Sequence, residues 1–189
     1  LALGLFVAIV LAKQAFGGLG ENPLNPAMAG YAALLIFFPS NFDAFVATGS
    51  WSSGGPAWVA GLYALGGLFL IGKKIIAWQT PLATLAGASL TLLALQLGGM
   101  QAADFGLQAW PLATLVLAAF FIVTDPVTGC MSPRGRIYFG AGAGLLTVLL
   151  TRFGALADGL PFAVLSMNIA APWIDRHTRP ARRQQGGQP

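Results

Sequence analysis

The chain has 189 residues, 56% of them hydrophobic and 8% charged, with a formal net charge of +4. Soluble domains carry roughly 25% charged residues, so a water-covered globule is excluded and a chain whose surface faces lipid is indicated. Cys130 is the single cysteine, which excludes an intrachain disulfide and a cysteine-built metal cluster within the chain. Nucleic acid is not an expected partner either. Arg176, Arg179, Arg182 and Arg183 crowd the last fourteen positions and the other basic residues edge apolar runs, so they form no phosphate-tracking face.

The first apolar segment, 1–16, has neither an initiating Met nor a basic flank, so it is not a signal peptide. It reads as the middle of a helix, and the natural chain is expected to begin upstream. Lys13, near its end, can extend its ammonium to the interface while its stem stays in lipid. Then comes Gly17-Gly-Leu-Gly-Glu-Asn-Pro-Leu-Asn-Pro-Ala27. Two Asn-Pro steps break a helix, because proline lacks an amide donor and restricts the residue before it. The segment that follows, 27–38, is too short to cross a bilayer alone, since a crossing takes about 20 helical residues. The break is therefore expected to dip into the membrane as part of a discontinuous helix, as binding sites in transport folds often do.

A loop at 39–56 leads to segments 57–72 and 75–97, joined by a tight turn at Lys73-Lys74. Segment 107–124 ends in a second information-rich stretch, Thr124-Asp-Pro-Val-Thr-Gly-Cys-Met-Ser-Pro-Arg-Gly-Arg136, in which Asp-Pro-x-Thr reads as a capped helix start. Segment 137–151 again looks short. It holds Gly140-x-x-x-Gly144, a spacing suited to close helix packing. Segment 160–174 is the seventh, and 176–189 reads as a basic, aperiodic tail carrying His177 as a solvated side chain. Trp58, Trp78, Trp110 and Trp173 stand near segment ends, as interfacial anchors do.

The fold class expected is all-α: a polytopic membrane helix bundle with broken or re-entrant segments and about seven spans, comprising a membrane domain at 1–175 and a cytoplasmic tail at 176–189. With the tail inside, Lys13, Lys73, Lys74, Arg134, Arg136 and the four tail arginines fall on the cytoplasmic face, and only Arg152 falls outside. That bias is the positive-inside pattern of a multi-pass inner-membrane protein. No carboxylate stands at the centre of a span, since Asp43, Asp104 and Asp158 fall outside and Glu21, Asp125 and Asp175 inside. Asn22, Asn25, Asp125 and Thr128, at the two breaks, are the candidate binding or pathway residues. No metal site is expected. The two breaks fall on the same side, which hints at an internal repeat.

Those stretches also carry a family resemblance. The run Gly17 to Gly30 is similar to one found in the RnfD subunit of the Rnf electron-transport complex and in the related NqrB subunit of the sodium-pumping NADH:quinone reductase. So are Phe120-Phe-Ile-Val-Thr-Asp-Pro-Val-Thr128 with Arg134-Gly-Arg136, and Asp158-Gly-Leu-Pro-Phe-Ala-Val-Leu-Ser-Met-Asn-Ile-Ala-Ala-Pro-Trp-Ile-Asp175 with Thr178-Arg-Pro180. Lys73-Lys-Ile-Ile-Ala-Trp78 and Pro81 fit as well. The resemblance implies a bacterial inner-membrane subunit of about ten helices. Its complex would pass electrons between NADH and ferredoxin, or to quinone, and couple them to Na⁺ or H⁺ movement, with the other subunits as partners. It further implies FMN held by a phosphoester to a threonine on the outer side. The family's segment there is Asp-Gly-x-Ser-x-Ala-Thr-like; here the short loop offers only Asp43-Ala-Phe-Val-Ala-Thr48, without the Gly and Ser. Thr48 is thus the attachment candidate, and the flavin segment itself looks missing. The other readings open to the sequence are a channel or transporter without redox chemistry, and a scaffold subunit without cofactor.

Overall fold

The computed structural model describes residues 1–18, 20–40, 57–100, 112–154 and 158–178. Seven α-helices and no strand occur among them. Helix α1 (Ala2–Phe6) runs on into a π-helical turn (Val7–Leu11) and a 3-10 turn (Gln14–Phe16). It is followed by α2 (Pro26–Phe37), α3 (Ala57–Gly72) and α4 (Gln79–Leu97). Helix α5 (Leu112–Leu117) continues as a second π-helical turn (Ala118–Ile122), and α6 (Pro133–Phe153) and α7 (Leu160–Thr178) complete the order. Among the described residues, α4 alone is both long and apolar enough to cross a membrane by itself.

The expected segments map onto these helices with three corrections. Segment 137–151 is not short: α6 has 21 residues, and at about 1.5 Å each it reaches the ~30 Å of a bilayer core. Arg134 and Arg136 in its first turn conceal it from a reading that looks for apolar runs. The aperiodic tail begins too early in that reading, because α7 continues through Arg176 and His177 to Thr178. Segment 75–97 starts late: Lys73 to Trp78 form a turn, with Lys74 at a φ of 59°, before α4 begins. Thr48, Trp110, Asp43, Asp104 and residues 179–189 lie outside the described residues.

Both interruptions are built alike. A π-helical turn precedes each, and a polar N-cap followed by proline ends each. Asn25 caps α2 by accepting the Met28 amide at 3.1 Å, and Ser132 caps α6 by accepting the Gly135 amide at 3.0 Å. Proline suits the first helical position because its missing N–H would find no partner there, and its φ is already helical. The Asp125-Pro126 step, expected as a helix start, is instead a turn inside the second interruption, and the helix starts seven residues later at Ser132-Pro133.

One core cluster joins α2, α6 and α7 through Met28, Phe139, Val164 and Ile174. The other joins α3 to α5 through Ala60, Ala113, Val116 and Phe120. Helices α6 and α7 run antiparallel: the Gly159 amide donates to Thr151 Oγ1 at one end, and Asp175 reaches Ser132 at the other. Buried hydroxyls are satisfied within their own helices, as with Thr84 to the Thr80 carbonyl and Thr147 to the Ala143 carbonyl, which is how a threonine can face an environment without water.

Gly140 and Gly144 do bring two helices together. A Cβ on Gly140 would meet the Thr80 carbonyl and one on Gly144 the Thr84 carbonyl, both on α4. In return, Gly87 of α4 faces the Ala141 carbonyl. Gly144→Ala is expected to push the pair apart and cost about 1–3 kcal/mol, the usual size of an overpacking penalty. Gly61→Ala, where nothing lies within 4 Å of the added carbon, should leave the melting temperature of the detergent-solubilised protein unchanged; thermal unfolding of the two variants makes the comparison.

Candidate functional site

Each interruption leaves backbone amides and carbonyls without helical partners, and in an apolar setting those groups must be met by side chains. Asp125 meets those at the second break. Its Oδ1 accepts the Val127 amide at 3.0 Å, and its Oδ2 accepts the Thr128 hydroxyl at 3.1 Å. Oδ2 also accepts the Asn25 side-chain amide at 3.2 Å, so this one carboxylate ties the second break to the first. It stands beside the N-terminus of α2, where the helix dipole favours a negative charge.

Asn168 of α7 closes the arrangement from a third element. Its Oδ1 accepts the Asn25 backbone amide at 2.9 Å, and its Nδ2 donates to the Thr128 carbonyl at 3.2 Å. It is 3% exposed, Thr128 is 4% and Asn25 is 7%. Asn168 stands eight residues from Leu160 and ten from Thr178, so both breaks meet α7 at about 12 Å from one end and 15 Å from the other, near its middle. Three of the four sequence candidates, Asn25, Asp125 and Thr128, are therefore brought into one network. Asn22 is buried nearby but bonds only locally, its Nδ2 donating to the Leu24 carbonyl at 3.0 Å. Asn168 is the residue that reading by motif chemistry missed, although an amide in the middle of an apolar run was a visible signal.

A cavity of about 690 Å³ opens on one side of the network, with Lys13, Asn22, Asn25 and Asp125 among its lining residues. On the other side a groove of about 940 Å³ is lined by Thr128 and Asn168 at one end and by Asp175 and Arg176 at the other. The network is the partition between them. No group of His, Cys, Asp or Glu suited to a metal ion occurs among the described residues.

Two further carboxylates, Asp158 expected on the outer side and Asp175 on the inner, accept backbone amides at helix N-termini. Asp175, 6% exposed, accepts the Met131 amide at 2.8 Å, the Ser132 amide at 3.0 Å and the Ser132 hydroxyl at 2.9 Å, just ahead of α6. Asp158 accepts the Leu160 amide at 2.8 Å at the start of α7 and the Tyr31 hydroxyl at 3.0 Å from α2. Burial pushes the Asp158 carboxyl above the ordinary aspartate range, against the opposing pull of the Leu160 amide and the Tyr31 hydroxyl. His177 is exposed and its Nδ1 pairs with the Trp173 carbonyl at 2.8 Å, in keeping with a surface side chain.

The relatives of the chain can be set beside this geometry. Residues 1–54 and 43–184 match the NQR2, RnfD, RnfE family. The chain belongs to that family. It is 36% identical over 226 aligned positions to the D subunit of the ion-translocating oxidoreductase complex of Pseudomonas aeruginosa (strain LESB58), with 93% of this chain and 66% of the relative covered. The protein of the same description from Cellvibrio japonicus (strain Ueda107) is 33% identical, over 94% of this chain and 66% of its own length. That from Actinobacillus succinogenes is 34% identical, over 94% and 69%. The chain thus spans about two thirds of the length of these curated relatives. The alignment with the Pseudomonas protein takes in more positions, 226, than the 189 residues of this chain, so that relative carries internal residues absent here. The two family matches overlap at 43–54, within the short loop that holds Thr48.

Two variants probe the structure so described. Asn168→Leu leaves the Asn25 amide and the Thr128 carbonyl buried without partners, and each such group costs about 1–3 kcal/mol; a fall in the melting temperature larger than that of Ile169→Ala, on the exposed neighbouring position, is expected. Asp158 has a folded-state pKa above its unfolded one, so its contribution to stability is complete below the ordinary aspartate range and is lost as pH rises through the raised value. Asp158→Asn should flatten that decline in a series of melting curves taken at increasing pH.

Proposed function

We propose that this chain is a membrane subunit of an ion-translocating electron-transport complex, and that ions pass by the junction of its two interrupted helices. The observation that carries the reading is the network of Asn25, Asp125, Thr128 and Asn168. It sets a carboxylate and three polar side chains near the middle of a helix, beside a cavity lined by Lys13 and Asn22. Polar groups at such depth are costly and are kept where they serve a pathway. Family membership, and the description of the relatives as D subunits of an ion-translocating oxidoreductase complex, support the same role. The chain then acts as part of a redox-driven translocase of the bacterial inner membrane, with the other subunits of an Rnf-type complex and the lipid bilayer as its partners, moving Na⁺ or H⁺ as electrons pass between NADH and ferredoxin.

In this reading the chain is multi-pass, with its basic end cytoplasmic. Arg134 and Arg136 start α6 and Arg176 ends α7, so they share one end of the antiparallel pair, while Arg152 marks the other. The two breaks then open toward the cytoplasm, and Asp125 receives ions from the cavity beside Lys13.

FMN enters through Thr48 alone. The start of α7 at the outer end does not fit its phosphate: the Leu160 amide is already held by the Asp158 carboxyl group. FMN, when bound, would carry electrons, and the ion path past Asp125 does not run through it. The overlap of the family matches at 43–54 supports the view that the flavin segment of the relatives is shortened in this chain.

Two experiments test the proposal. In sealed inverted vesicles holding the whole complex, Asp125→Asn is expected to lower electron-driven ion uptake about tenfold, equivalent to ~1.4 kcal/mol on the barrier, while the subunits remain assembled; unchanged uptake removes Asp125 from the path. On a denaturing gel of the full-length protein, flavin fluorescence that disappears in Thr48→Ala would assign the attachment, and fluorescence that persists would exclude Thr48.

A further inference from the structure

The groove of about 940 Å³ on the far side of the network is unlike the cavity beside Lys13. Its walls are Leu24, Val127, Met131, Ile169 and Pro172, and its open end carries Arg176. Ile169 is 73% exposed and Met131 66%, so large apolar side chains stand uncovered along it. At its deep end Asn168 and Thr128 are bonded to each other and to Asn25, and at its mouth the Asp175 carboxylate is engaged by Met131 and Ser132. Asp175 keeps its charge but is 6% exposed and turned onto those donors, so Arg176 is the exposed charge of the mouth. Arg134, in the first turn of α6, lies at the same end of the antiparallel pair and is exposed, and Trp173 beside the mouth is 66% exposed.

Length decides what fits. From Asn168 to Arg176 the groove follows eight residues of α7, about 12 Å of helix, while one leaflet is half of a hydrocarbon core of about 30 Å. The groove therefore runs from mid-depth to the cytoplasmic surface over the length of one acyl chain, apolar along its walls and cationic where the headgroup would lie. Basic pockets between helices on the cytoplasmic side are suited to anionic headgroups.

We propose that this groove holds an anionic phospholipid of the inner leaflet, its headgroup phosphate against Arg176 and one acyl chain lying along Ile169 and Leu24 as far as the Asn168–Thr128 bond. The lipid covers the apolar side of the partition whose other side faces the ion cavity. The inference rests on the membrane orientation given under the proposed function.

The test uses the intact complex, purified in a mild detergent and analysed by native mass spectrometry after exchange into phosphatidylglycerol or phosphatidylcholine. Retention of phosphatidylglycerol over phosphatidylcholine is expected. That preference should be lost in Arg176→Gln, which removes the charge, and retention itself should be lost in Ile169→Trp, which fills the groove and keeps the charge; both positions are exposed, so both variants should fold. Equal retention of the two lipids, undiminished retention in both variants, or displacement of the lipid by glycerol phosphate without acyl chains would each overturn the proposal. So would an absence of bound lipid because a neighbouring subunit fills the groove. Carbonate extraction of membranes and labelling of a cysteine placed at Arg176 from either side report the orientation separately, so a failure of the topology is distinguished from a failure of the lipid site.

Discussion

The structure depends on three aspartates placed at helix starts where water is scarce: Asp175 and Asp158 accept backbone amides there, and Asp125 accepts the side-chain amide of Asn25, the cap of α2. A helix that starts inside an apolar body exposes amides with no partner of their own. Asp125 stands at the start of α2, Asp175 ahead of α6 and Asp158 at the start of α7. Each carboxylate comes from a different part of the chain than at least one of the elements it binds. Asp125 meets Asn25 across 100 positions, Asp175 meets Ser132 across 43 and Asp158 meets Tyr31 across 127. The carboxyl groups are thus engaged in holding the bundle together, and the helix dipole favours a negative charge at each start, an effect that burial outweighs at Asp158.

That constraint explains why the breaks are not loose. Proline and glycine open the helix, but the exposed groups are then claimed by Asn25, Asp125, Thr128 and Asn168. The result is a partition made of hydrogen bonds instead of packed apolar side chains. Such a partition has specific geometry, since a buried polar group left unpaired is expensive.

The rest of the bundle is arranged to keep this junction in place. Glycines at 87, 140 and 144 bring α4 and α6 to backbone contact, and α6 is then fastened to α7 at both ends by Asp175 and by Thr151. Helix α7, which carries Asn168, is therefore held against the long, close-packed pair. The shorter α2, started at Asn25, is held against α7 by that asparagine's amide and by Tyr31. The same family pattern that marks these stretches is shared with relatives described as D subunits of an ion-translocating oxidoreductase complex.

By itself the sequence determined the helical class, the places where helices break and the close helix packing at Gly140 and Gly144, because apolar runs, Asn-Pro steps and glycine spacing act locally. It also carried the family, through motifs spread along nearly the whole chain. It misplaced the start of α6 and the end of α7, where arginines in a terminal turn interrupt an apolar pattern without interrupting the helix. The joining of the two breaks through Asp125, the place of Asn168 between them and the burial of Asp158 and Asp175 were decided only by tertiary structure. A carboxylate beside a segment end reads as solvated until the fold brings a donor from a distant element against it, the Asn25 side-chain amide to Asp125, the Tyr31 hydroxyl to Asp158 and the Ser132 amide to Asp175, and no local pattern encodes which donor that will be.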